Sequence, residues 1–319
     1  MFSNIFILII GFAFLIIGAD ILVKGSKNIA TKFHIPDILI GLTIVAIGTS
    51  APELFITISS AISKNEDLII GNAIGSNFCN LFFIIGILAL FHPIYIDPKV
   101  KKIHIPISFF ATLLLSLMII FSNVPYTITR ISASILILLF IIYFSYPIFN
   151  HFKDIMKTLK KDKKNKSSKK INLALSIFFV ILGSVLLKFG GDFVVESSSN
   201  ISVILGLSEE IIGATVIAFG TALPELVTSI FAIINKNSGL AIGNLVSSCI
   251  LNLLLILGTG SLILPLHFSY EFIRQLTFLI LGTFVLWLIN FIGRKNYITR
   301  FKGIILLLIF TIYVVSLFV

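Results

Sequence analysis

Two glutamates stand where an apolar chain tolerates few charges. Glu53 follows Pro52 in the run GTSAPEL (48–54), and Glu225 follows Pro224 in GTALPEL (220–226). Both runs sit inside long apolar stretches. A carboxylate at the centre of a membrane helix costs on the order of 3 kcal/mol, so two at matched positions imply a compensating positive charge, most simply a bound cation. Each proline lacks an N–H and crowds the carbonyl four residues earlier, which opens the helix around Gly48 and Gly220. Freed carbonyls are expected at Ala46, Thr49, Ala218 and Thr221, and in a bilayer they must face protein or a water-filled cavity. At the C-terminal end of a half-helix such carbonyls attract cations.

Two further runs supply neutral oxygens: GNAIGSN (71–77) and GNLVSSC (243–249). Small residues allow close helix approach. Ser76 and Asn80, four apart, share a helix face, and Ser248 and Asn252 repeat the spacing. Two carboxylates with several neutral oxygens suit a hard cation such as calcium, which takes about six to eight oxygen ligands. Sodium can use the same carbonyls and hydroxyls. The plainer alternative for each Ser or Asn is interhelical packing, and the sequence leaves that open.

The other polar residues read as structural. Asp20 and Asp192 fall near span ends, and Lys188 is placed to pair with Asp192 four residues on. Cys79 and Cys249 lie within apolar runs, as buried free thiols. His34, His92, His104, His151 and His267 sit near span ends without ligand spacing, which argues against a zinc enzyme. No cofactor is expected.

The elements that position these groups are membrane helices. The chain has 319 residues, 57% hydrophobic and 12% charged, about half the charge of a soluble protein. Apolar runs near 3–23, 37–60, 67–91, 103–122 and 127–150 are followed by runs near 172–194, 208–234, 239–263, 270–292 and 302–319. The expected fold is an all-α integral membrane protein of ten spans. The first run lacks a basic leader and a small-residue cleavage site, so it reads as a retained helix. Of the 24 basic residues, twenty lie in segments on one side of the membrane, so the net charge of +10 reports topology rather than nucleic-acid binding. The positive-inside rule makes that side cytoplasmic and places both termini outside.

The sequence is doubled. At an offset of 172 residues Gly11 matches Gly183, Asp20 matches Asp192, Gly48 matches Gly220, Pro52 matches Pro224 and Glu53 matches Glu225. Asn72 matches Asn244, Ser76 matches Ser248, Asn80 matches Asn252 and Pro93 matches Pro265, with no gap from residue 11 to 93. Five spans per half put the second half in the opposite orientation, an inverted-topology repeat with its site at mid-membrane. The domains are therefore 1–150 and 172–319, joined by a lysine-rich cytoplasmic linker, 151–171.

The doubled G-T-[SA]-x-P-E and G-N-x-x-x-S motifs resemble the two alpha repeats of the sodium/calcium exchanger family, over essentially the whole chain. The resemblance implies electrogenic antiport of sodium against calcium across the plasma membrane by alternating access, with helices 1 and 6 sliding over the rest. It implies that Glu53, Glu225, Thr49 and Thr221 ligate calcium. An outward sodium site would use Ser50, Ser76, the Ala218 carbonyl, Thr221 and Glu225; its inward counterpart would use the Ala46 carbonyl, Thr49, Glu53 and Ser248. Asn80 and Asn252 would flank the centre. Two features depart from the pattern. Ala222 replaces the hydroxyl that its partner Ser50 carries, and Asn252 stands where potassium-dependent relatives tend to have aspartate, which favours potassium independence.

A calcium/proton exchanger of the same fold is the nearest alternative, since two buried carboxylates can carry protons. A cation channel fits less well, because the carboxylates number two rather than a ring. An intramembrane enzyme lacks a nucleophile and a substrate groove. The expected partners are the two ions and the bilayer, with the chain acting as a monomer.

Overall fold

The structure is a computed structural model, and it describes residues 2–33, 35–159, 172–204, 220, 222–292 and 296–317. Where no water is present the backbone must satisfy itself, so the apolar runs become helices. They are α1 (Phe2–Phe33), α2 (Ile38–Thr49), α3 (Ala51–Ile62), α4 (Glu66–Phe91) and α5 (Val100–Ile120). Next come α6 (Arg130–Leu159), α7 (Leu173–Ile204) and α8 (Leu223–Ile234). The last are α9 (Ser238–Ile263), α10 (Tyr270–Ile289) and α11 (Arg300–Ser316).

Six described helices are long and apolar enough to cross a membrane, and α2 with α3, bent by 42°, makes a seventh candidate. α6 and α8 contribute shorter apolar stretches. The expectation of ten spans includes 208–219, which lies outside the described residues.

Three helices outrun their expected ends: α1, α6 and α7, the last reaching Ile204 rather than stopping near residue 194. α1 continues through Lys24, Lys27 and Lys32 to Phe33, rather than stopping near residue 23. Lysine is a good helix former, Lys24 pairs with Asp20 one turn back at 2.5 Å, and Ile29 and Ala30 extend the buried face. α6 runs to Leu159, past the expected end at 150, because the first residues of the lysine-rich stretch still favour a helix. Lys302, at the start of the last expected run, is buried in α11 and donates to the Tyr297 carbonyl at 2.8 Å.

α9 is the most enclosed element, with 94% of its apolar window buried, and α4 follows at 72%; α1 and α7 bury only 28% and 22%. The centre is thus built from the two helices that carry the GN motifs. α1 and α7 lie antiparallel along a glycine seam. A Cβ on Gly18 would sit 3.0 Å from the Gly183 carbonyl, and one on Gly190 would sit 2.8 Å from the Gly11 carbonyl. α2 crosses α9 just as closely, since a Cβ on Gly41 would collide with the Leu240 carbonyl.

Among the described residues, wide π turns interrupt α2 (Gly41–Val45), α4 (Cys79–Ile84) and α9 (Asn252–Ile256) and open α5 (Val100–His104). Such turns gather at functional sites. Those in α4 and α9 contain Asn80 and Asn252 respectively.

Among the described residues four short strands close the ends of the bundle. β1 (Ile94–Tyr95) pairs antiparallel with β4 (Tyr297–Ile298), and β2 (Thr127–Ile128) pairs antiparallel with β3 (Leu266–His267). Each pair takes one strand from before residue 150 and one from after 172. Backbone details recur likewise. Positive φ occurs at Lys64 (59°) and Lys236 (58°), and again at Tyr126 (54°) and Asn296 (57°). Asn65 caps α4 through the Leu68 N–H, and Asn237 caps α9 through the Leu240 N–H. The later matches follow an offset of 170, visible as Ile128-Thr129-Arg130 against Ile298-Thr299-Arg300.

Candidate cation site

The break after Thr49 builds the first half of the site. Ser50 (φ −90°, ψ 4°) ends α2, and α3 restarts with Pro52 in its first turn, where a missing N–H is harmless. Ala222 (φ −88°, ψ −2°) precedes α8 in the same way, with Pro224 in the first turn. Glu53 and Glu225 therefore occupy the first turns of α3 and α8, where helix N-termini favour negative charge.

This corrects one expectation. The Ala46 carbonyl is not freed by the proline, because it accepts the Ser50 N–H at 3.0 Å. Its second lone pair is what remains for an ion. Pro52 instead releases the Gly48 carbonyl, four residues back.

Both glutamates are 1% exposed. Among the described residues the ion pairs are Lys24–Asp20 and Lys188–Asp192, so neither glutamate has a basic partner there. The second pair, at 2.5 Å, is the one the spacing predicts. Oε2 of each glutamate is buried with no hydrogen-bond partner among the described residues. A buried charge left so costs several kcal/mol unless an opposite charge joins it.

The surrounding oxygens come from both halves. Ser50 Oγ lies 3.1 Å from Ser248 Oγ and 3.5 Å from Glu225 Oε1. Thr49 Oγ1 lies 3.2 Å from Asn244 Oδ1, with the Val45 carbonyl at 3.1 Å and the Ala46 carbonyl at 3.4 Å. Ser76 Oγ, both polar atoms of Asn80 and Asn252 Oδ1 are buried and unpartnered among the described residues. Native interiors hold few such orphans, and a cluster of them beside two carboxylates is the donor set a hard cation takes. Thr221 and Ala218 lie outside the described residues.

Sequence reasoning missed several residues here. Asn244 belongs to the GN motif, yet its part in holding Thr49 needed the fold. Asn77 accepts from Asn252 Nδ2 at 3.1 Å, and Ser247 donates to the Leu42 carbonyl at 2.7 Å. Thr57 and Ser229, one turn beyond each glutamate, are buried hydroxyls without partners among the described residues. Their matched places at the 172-residue offset were the available signal. Cys79 and Cys249 are buried and not joined in a disulfide, as expected, and Cys249 Sγ donates to the Asn77 carbonyl at 3.9 Å.

Buried carboxylates on broken membrane helices, ringed by neutral oxygens, define a membrane transport protein for cations, and the comparisons agree. The sodium/calcium exchanger protein family matches residues 3–149 and 175–319. The sodium/calcium exchanger MaX1 of Methanosarcina acetivorans is 31% identical over 345 residues, covering 99% of this chain and 98% of that protein. An uncharacterized membrane protein of Methanocaldococcus jannaschii, MJ0091, is 31% identical over 311 residues, covering 97% and 96%. A solved structure of the sodium-calcium exchanger NCX_Mj, soaked with zero Na+ and Ca2+, superposes with a TM-score of 0.82 at 28% identity, covering 98% of each chain. The chain belongs to the sodium/calcium exchanger family: it is a membrane-embedded exchanger and not an enzyme.

Proposed function

We propose that the protein exchanges sodium for calcium across the plasma membrane by alternating access, electrogenically and without potassium. The observation that carries this reading is the pair Glu53 and Glu225, each buried at a helix start and each with an orphaned oxygen, with Ser50 reaching both Glu225 and Ser248. Calcium takes both carboxylates, with oxygens of Thr49 and Thr221. Sodium ions take Ser50, Ser76, the Ala218 carbonyl, Thr221 and Glu225 on the outward side, and the Ala46 carbonyl, Thr49, Glu53 and Ser248 on the inward side. Asn80 and Asn252 flank the centre. Competition for shared carboxylates couples the two fluxes.

The proposed architecture is ten spans in two inverted halves, 1–150 and 172–319, joined by the cytoplasmic linker 151–171, with both termini outside. The antiparallel α1–α7 seam, the strand pairs shared between halves and the matched positive-φ residues support it. α1 and α7, the least enclosed of the long helices, are the elements proposed to slide.

The test is radioactive calcium uptake into proteoliposomes, driven in turn by a sodium gradient, a pH gradient and neither. Uptake with sodium alone supports the reading. Uptake with the pH gradient alone assigns the protein to the calcium/proton alternative, and uptake that needs no counter-ion makes it a channel.

A further inference from the structure

Away from the ion site, a groove of about 520 Å³ lies between α5 and α6, with Leu254 of α9 at its wall. Its α5 side runs from Ile103 through Ile107 and Phe110 to Leu114 and carries no charge beyond His104. Twelve residues of helix span about 18 Å, a little over half of a hydrocarbon core about 30 Å thick. The groove is therefore one leaflet long.

Its polar groups gather at one end. His104 Nδ1 and the Tyr143 hydroxyl are 2.9 Å apart, and Tyr146 is exposed beside them. Lys99 lies one turn before Ile103 on the same helix face, and both Lys99 and Lys102 are exposed. Lys101 is already engaged, 5.1 Å above the Phe291 ring. An apolar channel of one-leaflet length, with the exposed lysines Lys99 and Lys102 just before its polar end in sequence, has the shape and charge of an anionic amphiphile's complement.

We propose that this groove binds one acyl chain of an anionic phospholipid from the lysine-rich leaflet, with the headgroup phosphate at Lys99 and Lys102. The site borders the ion machinery. Leu254, at the groove's wall, stands two residues past Asn252 in α9. The bound chain would brace α9 against α5 and α6. The proposal rests on the chain's place in a bilayer and not on which ions it carries.

The experiment is native mass spectrometry of the purified protein, titrated with phosphatidylglycerol or phosphatidylcholine of identical chains. The wild type should retain one phosphatidylglycerol more tightly than phosphatidylcholine. Each lysine near the surface is worth about 1 kcal/mol, so Lys99→Gln and Lys102→Gln should each weaken that binding roughly fivefold and leave phosphatidylcholine unchanged. Ile142→Trp, at an exposed position of the groove, should remove both lipids, whereas Ile135→Trp, exposed on α6 outside it, should remove neither. Equal retention of the two lipids by the wild type, or full retention by Ile142→Trp, overturns the proposal. So does a dimer that Ile142→Trp converts to a monomer, which would give the groove to a second copy of the chain.

Discussion

Ser50 Oγ and Ser248 Oγ meet at 3.1 Å across the centre of the molecule, one from the break between α2 and α3 and the other from α9. Ser50 also reaches Glu225, so a hydroxyl from the first half stands between a serine and a carboxylate of the second. A cation drawn to either half therefore meets oxygens of both.

Replacing either carboxylate by its amide should remove exchange while sparing the fold. Glu53→Gln and Glu225→Gln are each expected to weaken calcium binding by roughly 100-fold or more, about 2.7 kcal/mol. In calcium- and sodium-free buffer the same variants should unfold at a temperature equal to or above that of the wild type, because an unpaired buried charge has been removed. Thermal unfolding with and without calcium reads both effects; unaltered sodium-driven uptake by either variant would refute the site.

Ala222→Ser should strengthen sodium binding. It restores the hydroxyl that Ser50 supplies in the other half, at a backbone position of nearly identical φ and ψ. One added oxygen is worth about 1 kcal/mol, a roughly fivefold gain in sodium affinity. The check is the sodium concentration for half-maximal release of bound calcium.

Gly183→Leu should separate binding from transport. A Cβ at Gly183 would stand 2.7 Å from the Gly18 carbonyl, so a larger side chain must push α1 and α7 apart. Calcium affinity, set by α2, α3, α4, α8 and α9, should hold within about twofold, while uptake into vesicles should fall to background. Retained uptake would mean that the seam is only a packing device.

Potassium should make no difference to the wild type. Asn252 presents an amide whose Nδ2 donates to Asn77 Oδ1, and an amide adds no charge to attract a third kind of cation. Calcium uptake measured with potassium chloride and then with choline chloride should give the same rate. Potassium stimulation would show that Asn252 does not mark independence.

The chemistry was legible in the sequence because charge in an apolar run is rare and each rarity occurs twice. Glu53 with Glu225 and Asn80 with Asn252 announced themselves through type and spacing. The helix ends were not legible. Lys24 and Lys32 read as loop residues, since hydropathy sees their charge and not their helix-forming stems. The state of the Ala46 carbonyl was hidden for another reason: proline can kink one helix or start a new one, and only the backbone at Ser50 tells which. Thr49's tie to Asn244 depends on how α2 crosses α9, which no local pattern encodes.

The strand pairs carry a consequence for biogenesis. β1 and β2 belong to the first part of the chain to be made, while β4 and β3 arrive only with the second. During synthesis the earlier half must wait in the bilayer with both of its surface strands unmatched, and neither face of the molecule can be finished until the later half has been inserted. Two halves expressed as separate chains should accordingly mature only when they are produced together.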